Sequence, residues 1–312
     1  MSTPLYTSRL SLPYSTKSSL NTLDIHSPTH SPHCPSYWLV YIHGGAFRDP
    51  LVSSLSLTPS LYPLFQNPHI AGIASLNYRL SPHPTHPTDP SDPSDGARNA
   101  EWPDAIEDVR DAIRWLKEEE VLGRGEWIVC GHSVGGTMAV MVGMDGTGGR
   151  GDDGRGGKEG KEWERGVWGK EGGMDGLKAV VSLEGIYDFT ACRDAHPRLR
   201  DMYDAFTTGA FGPEEEGGWE RGDVLRCKRR VRDGVEAVVV GHSRDDELVE
   251  WEQGQRLIGV LERERQGEGE VVRLVEVEGK HSQVVRDGVA VGKCVNVAIR
   301  VLVEKARAKE GG

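Results

Sequence analysis

The hexapeptide Gly131-His132-Ser133-Val134-Gly135-Gly136 sets a serine among small residues. The apolar run EWIVC before it reads as a short buried strand, and VGGTMAVMVGM reads as a helix of small residues behind it. G-x-S-x-G between a strand and a helix is a nucleophile elbow: the serine sits on a tight turn, and its neighbours must be small for the turn to close. The free N–H groups and positive end of the following helix favour an anion developing at that point. The chemistry implied is attack by the Ser133 hydroxyl on a carbonyl carbon, through a covalent intermediate.

A serine nucleophile needs a base, and the base needs an orienting acid; behind an elbow of this kind they follow the serine in the order acid, then histidine. The histidines after Ser133 are His196, His242 and His281. His281, in VEGKHSQ, follows the last strand-like run, where a loop can set an imidazole over the serine, and is the expected base. The acid should follow the preceding strand, where VVVGHSRDDELV offers Asp245 and Asp246. Asp246 is preferred because acid-x-Leu-Val leads straight into the next helix. Asp245 stays open as the alternative, since one residue of register reverses the direction of a side chain.

The oxyanion of a tetrahedral intermediate needs N–H donors aimed in advance. One is expected from Val134, after the nucleophile, and others from a glycine-rich loop after an earlier strand. The stretch His43-Gly44-Gly45-Ala46-Phe47 ends the apolar run Trp38–Ile42 and fits that loop. Gly44 and Gly45 have no Cβ, so their amides can approach a substrate oxygen. His43 is expected to brace the loop by hydrogen bonds. His26, His30, His33 and Cys34 have ligand chemistry, but interspersed Pro and Ser point to a loop, and neither a metal nor a cofactor is expected.

These residues must be held by a scaffold, and from about residue 37 strand-like and helix-like runs alternate. YWLVYIHGG, IAGIASLNYRL, EWIVCGHS, LKAVVSLEGIYD, VEAVVVGHSRDD and EVVRLVEVEGKHS read as strands. PDAIEDVRDAIRWLKEEE reads as a helix, with Ile106, Val109, Ile113 and Leu116 on one face. The expected architecture is α/β, a mostly parallel central sheet with helices on both faces. Residues 1–36 are expected as a partly flexible N-terminal extension and residues 37–308 as the domain. Within it, residues 145–176 read as a disordered Gly- and charge-rich insertion. Residues 191–233 read as a possible cap segment of helices and loops over the top of the sheet.

The 312-residue chain suits this plan. Its 37 Lys and Arg against 48 Asp and Glu give a net charge of -11, which argues against nucleic acid and anionic membranes as partners. Five cysteines without close pairing (Cys34, Cys130, Cys192, Cys227, Cys294) suggest neither a disulfide framework nor a CxxC metal site. The first twenty residues lack the apolar core of a signal peptide, and no apolar run approaches the ~20 residues of a membrane helix. A cytoplasmic protein is expected.

Taken together, HGGAF, SLNYRLSPH, GHSVGG, SLEGIYD, HSRDDELV and GKHSQV resemble the α/β-hydrolases of the kynurenine formamidase (arylformamidase) family, particularly its fungal branch. The resemblance runs over about residues 37–308. It implies hydrolysis of N-formyl-L-kynurenine to L-kynurenine and formate, in tryptophan breakdown toward NAD, with Ser133, Asp246 and His281 as triad and Gly44 and Gly45 in the oxyanion loop. The family's HGG-x-W tryptophan is Phe47 here, which keeps an aromatic wall but loses an indole N–H. Tyr78, Arg79, Glu184 and Tyr187 are candidate anchors for an amino-acid substrate, or else structural hydrogen-bonding groups. The partner implied is the small-molecule substrate, with room for a homodimer. Two rival functions are a carboxylesterase of the hormone-sensitive-lipase type and a non-catalytic binding protein on a hydrolase scaffold.

Overall fold

The computed structural model describes residues 4–145, 174–225, 230–264 and 270–311. Most of the insertion expected at 145–176 lies outside these residues, as does Cys227. Eight strands form one sheet in the order β1-β2-β4-β3-β5-β7-β9-β10. They are β1 (Tyr6–Pro13), β2 (Thr22–Pro28), β3 (Tyr37–Ile42), β4 (Ile70–Leu76), β5 (Glu126–His132), β7 (Leu177–Leu183), β9 (Ala237–Ser243) and β10 (Val271–Val277). Every pairing from β4 through β10 is parallel, whereas β1 and β2 run antiparallel at one edge. Two short strands, β6 (Met144–Asp145) and β8 (Arg230–Val231), pair separately.

Strand β3 shows how the sequence fixes the layers. Its residues alternate between two apolar cores, as a pleated strand requires when both sheet faces are covered. Leu39 and Tyr41 pack with Leu61 and Leu64 of α1 (Thr58–Phe65), and with Val291, Val295 and Leu302 of the long C-terminal helix Val289–Glu310. Val40 and Ile42 pack on the other side with Ile106 and Val109 of α2 (Asp104–Glu118) and Met138 of α3 (Val134–Gly143). Helix α2 carries Asp104 and Glu107 in its first turn and Lys117 in its last, which suits the helix dipole.

Residues 6–28 differ from the expectation of an N-terminal extension lying outside the domain. They supply β1 and β2, and β2 pairs with β4 through Leu23↔Leu76 and Ile25↔Ala74. Only two apolar residues of β2, Leu23 and Ile25, enter the core, and β1 is exposed along most of its length. An edge strand of that kind carries too short an apolar alternation to stand out in a Pro- and Ser-rich segment. Part of the 191–233 segment is helical: α4 (Phe189–Ala195) leads to α5 (Arg200–Phe211). Phe211 of α5 lies 5.2 Å, centroid to centroid, from each of Phe47, Trp102 and Phe189. This aromatic cluster ties the segment to the loop after β3. No helix among the described residues is long and apolar enough to cross a membrane.

Candidate active site

The residues of interest sit at the carboxyl ends of five neighbouring parallel strands, where ligands of open α/β sheets bind. Ser133 follows β5 and caps α3 with φ 55° and ψ −129°. An L-residue held there costs roughly 1–3 kcal/mol, so the surroundings must enforce it. They do so on both sides. The Ser133 amide donates to the Leu183 carbonyl at 2.8 Å. Helix α3 is pressed so close to the end of β3 that a Cβ on Gly135 would lie 2.3 Å from the Ile42 oxygen and 2.4 Å from that of His43. The small residues of the motif are therefore needed for helix-to-strand approach as well as for the turn.

His281 lies beyond β10, and its Nδ1–H donates to Asp246 Oδ2 at 2.8 Å. The other oxygen, Oδ1, accepts from the Leu248 and Val249 amides at 2.8 and 2.9 Å, so the Asp246 carboxylate is fixed at both ends. The Asp246 side chain is fully buried. Asp245, its neighbour, is exposed, and among the described residues its amide bonds Ser243 Oγ. The His281 amide donates to Glu247 Oε2 at 3.1 Å. Two histidines pack around this pair. His132, beside the serine, donates from Nε2 to the His281 carbonyl at 2.9 Å, and the two rings lie 4.7 Å apart. His242 donates from Nε2 to the Val249 carbonyl at 2.8 Å, directly beneath Asp246. The contact through His132 brings the 281 loop to the elbow, with Nδ1 of His281 committed to the acid.

Glu184 is the group that motif reasoning places elsewhere. Considered as a substrate anchor, it ends β7 with φ +50° and is fully buried. Its Oε2 lies 3.3 Å from His281 Nδ1 and 3.5 Å from His132 Nε2. Burial alone would pull the His281 imidazole down, but its hydrogen bond to Asp246 and the nearby Glu184 carboxylate raise it to about 9. Burial would raise the Glu184 carboxyl, yet the two imidazoles hold it below the ordinary glutamate value. His132 is pushed down, chiefly by burial. The sequence signals for Glu184 are its place immediately after a buried strand and its membership of the SLEGIYD stretch, neither of which points to His281.

The loop after β3 is built around His43 and Tyr78. The two rings stack at 4.3 Å, and the Tyr78 hydroxyl contacts the carbonyl oxygens of His43 and Gly44 at 2.9 and 3.1 Å. His43 Nδ1 lies 2.8 Å from the Gly44 oxygen, and burial lowers its pKa to about 4. Gly45, Ala46 and Phe47 follow with positive φ. A Cβ on Gly44 would sit 3.0 Å from both Ser133 Cβ and the His132 oxygen, so the loop backbone rests directly on the elbow. The carbonyls of Gly44 and Gly45 are engaged, while their amides have no backbone acceptor among the described residues. Unengaged amides are the kind of group an oxyanion would need as donors.

The remaining candidate anchors have structural partners. Arg79 holds the buried Asp108 of α2 in a two-pronged contact at 2.9 and 2.8 Å. Tyr187 bonds Ser182 Oγ at 2.6 Å, and its amide donates to the buried Gln253. Of the other histidines considered, His196 bonds the Cys192 carbonyl region of α4, and His26 belongs to β2, where it meets Ser8 Oγ. His132, Glu184 and His281 each offer a ligand-type atom within 4.8 Å of one another. Both imidazole nitrogens in that set already hold hydrogen bonds, which makes the set better suited to handling a proton than to closing on a metal.

Comparison with known proteins bears on the family and the fold. The family model BD-FAE matches residues 23–261. A kynurenine formamidase-like hydrolase of Fusarium equiseti is 30% identical over 294 residues, covering 90% of each chain. This chain belongs to the kynurenine formamidase-like α/β-hydrolases. A kynurenine formamidase of Aspergillus versicolor is 29% identical over 251 residues, covering 73% of this chain and 76% of its own. Among solved structures, esterase B of Lactobacillus rhamnosis superposes with a TM-score of 0.70, covering 99% of this chain and 90% of its own. At 14% identity that likeness speaks for the fold alone. The protein is thus a hydrolase on an α/β-hydrolase scaffold, and the five strand ends described above are where such a fold carries its chemistry.

Proposed function

We propose that the protein is a serine hydrolase that cleaves N-formyl-L-kynurenine to L-kynurenine and formate, and so acts in tryptophan breakdown. Ser133 is the nucleophile, His281 the general base and then acid, and Asp246 the orienting acid. Val134, Gly44 and Gly45 supply the oxyanion donors. The observation that carries this reading is the His281 Nδ1–Asp246 Oδ2 bond of 2.8 Å beside the strained Ser133 turn, in a chain whose fungal relatives are named for this activity.

The steps follow from the groups. The Ser133 oxygen bonds to the formyl carbon while its proton passes to His281 Nε2. The carbonyl oxygen takes the negative charge beneath the loop amides. The C–N bond then breaks, and the arylamine leaves with the proton from His281. Water adds to the formyl-serine, again giving its proton to His281, and formate departs as Ser133 recovers its hydrogen. An aryl formamide suits this apparatus, because the ring draws on the nitrogen lone pair and the formyl carbon is unhindered.

The test is a direct competition of substrates on purified protein. N-formyl-L-kynurenine should give a clearly higher kcat/KM than p-nitrophenyl butyrate. The opposite order favours a carboxylesterase of the same scaffold. Absence of turnover and of fluorophosphonate labelling at Ser133 favours a non-catalytic binding role.

A further inference from the structure

We propose that Glu184 is a second carboxylate partner of His281, a positioning residue that shares with Asp246 the stabilisation of the imidazolium formed when Ser133 gives up its proton. This rests on the Ser133–His281–Asp246 reading above and deepens it.

Three observations carry the inference. The first is placement. Glu184 takes a left-handed φ of +50° at the end of β7, with its amide bonded to the Gly241 carbonyl at 2.8 Å. That turn aims its side chain back across the strand ends instead of into solvent. The second is compensation. The carboxylate is fully buried, and neither oxygen has a hydrogen bond of normal geometry. Its neighbours among the described ion pairs are two imidazoles, His281 at 3.3 Å and His132 at 3.5 Å. A buried carboxylate without full compensation is costly. The cost falls whenever the facing ring is a cation, so the carboxylate favours the protonated form of His281, the form the ring also holds after it takes the serine proton.

The third is direction. His281 Nδ1 lies beside two carboxylates: its N–H bonds Asp246 Oδ2 at 2.8 Å, and Glu184 Oε2 sits 3.3 Å from the same nitrogen, which leaves Nε2 for the serine proton. Asp246 is spent on geometry as well, through its bonds to two amides. Glu184 has no such duties, and its charge acts on the ring. The other titratable groups around His281 are His132, whose ring lies 4.7 Å away, and Glu247, which takes the His281 amide. His242 lies behind Asp246 at 3.6 Å. The raised pKa of His281 in spite of its burial agrees with two facing carboxylates.

The experiment measures kcat/KM against pH for the full-length wild type, E184Q, E184D and D246N, with p-nitrophenyl acetate so that the natural substrate does not enter. Folding is checked by circular dichroism. We expect E184Q to lower kcat/KM about 10–100-fold, mostly through kcat, and to move the acid limb down by about one pH unit or more, since a facing charge has gone. E184D, which keeps the charge, should retain the wild-type limb. A folded E184Q whose limb does not move overturns the proposal, even if its rate falls, because a structural role alone accounts for that. If E184Q does not fold, D246N decides. Its limb should stay above the ordinary histidine value of about 6.5, with Glu184 as the remaining carboxylate. A limb at or below that value overturns the proposal. A wild type that shows no esterase turnover and no labelling of Ser133 sinks the triad reading itself, an outcome distinct from a normal wild type with an unmoved E184Q limb.

Discussion

Strands β5 and β7 lie side by side and end alike. Each leaves the sheet through a residue with positive φ that is not glycine, Ser133 in one case and Glu184 in the other. Each of these residues donates its amide to the neighbouring strand, Ser133 to Leu183 and Glu184 to Gly241. The β5 end is surrounded by glycines because a helix starts there and must pass within contact of the β3 carbonyls. The β7 end leads into a loop, Gly185 to Asp188, which is clamped by Thr137 and Gln253. The same backbone device thus brings two different groups to neighbouring strand ends, and Glu184 reaches His281 Nδ1 at 3.3 Å. The β5 end leaves the sharper motif, because α3 starting against β3 forces glycine at several neighbouring positions.

The comparison can be broken most severely at the β5 end. Ser133→Ala should lower kcat by about 10⁵–10⁶-fold while the circular dichroism spectrum stays unchanged, as expected for loss of a triad nucleophile. Residual turnover within tenfold of the wild type would remove Ser133 from the chemistry. Next in size is the acid behind His281. Asp246→Asn should cost about 10⁴-fold in kcat. Asp245→Asn should change kcat by less than a factor of two, because that side chain faces solvent. A reversed order would move the acid by one residue.

A third change acts on the loop that rests upon the elbow. Gly44→Ala places a methyl 3.0 Å from Ser133 Cβ and the His132 oxygen. The loop must give way there, and loss of one aligned donor should lower kcat by about 10²–10³-fold with little change in KM. A variant with wild-type kcat would show that the Gly44 amide lies away from the developing charge. The smallest effect concerns strain. Ser133→Gly removes the side chain from a backbone conformation that glycine adopts freely, so thermal unfolding should shift upward by the equivalent of roughly 1–3 kcal/mol as activity disappears. An unchanged midpoint would mean that the elbow is held without strain.

Much of this was legible in the residues themselves. The alternation of β3, the spacing of Ile106, Val109, Ile113 and Leu116 on α2, and the G-x-S-x-G turn each rest on local periodicity or local sterics, which a sequence carries in full. The edge formed by β1 and β2 was not legible, because one partly exposed strand pair needs only Leu23 and Ile25 to bury. Tyr78 was visible as a polar group near a strand end, but its partners, the His43 and Gly44 carbonyls, lie more than thirty residues away in the chain. Arg79 looked equally available for a ligand until the fold brought Asp108 against it.

What the sequence determined alone is the run of buried strands and helices from β3 onward and the one turn that only small residues can make, since helix period, strand alternation and Cβ clashes are all fixed within a few residues. It singled out Ser133 as the candidate nucleophile and narrowed the candidate acid to two adjacent positions. The tertiary structure decided which of those two carboxylates meets His281, and it added Glu184 and His132 around the same ring. The reason is that burial and charge pairing depend on where five separate strands end relative to one another, and that relation exists only once the sheet has assembled.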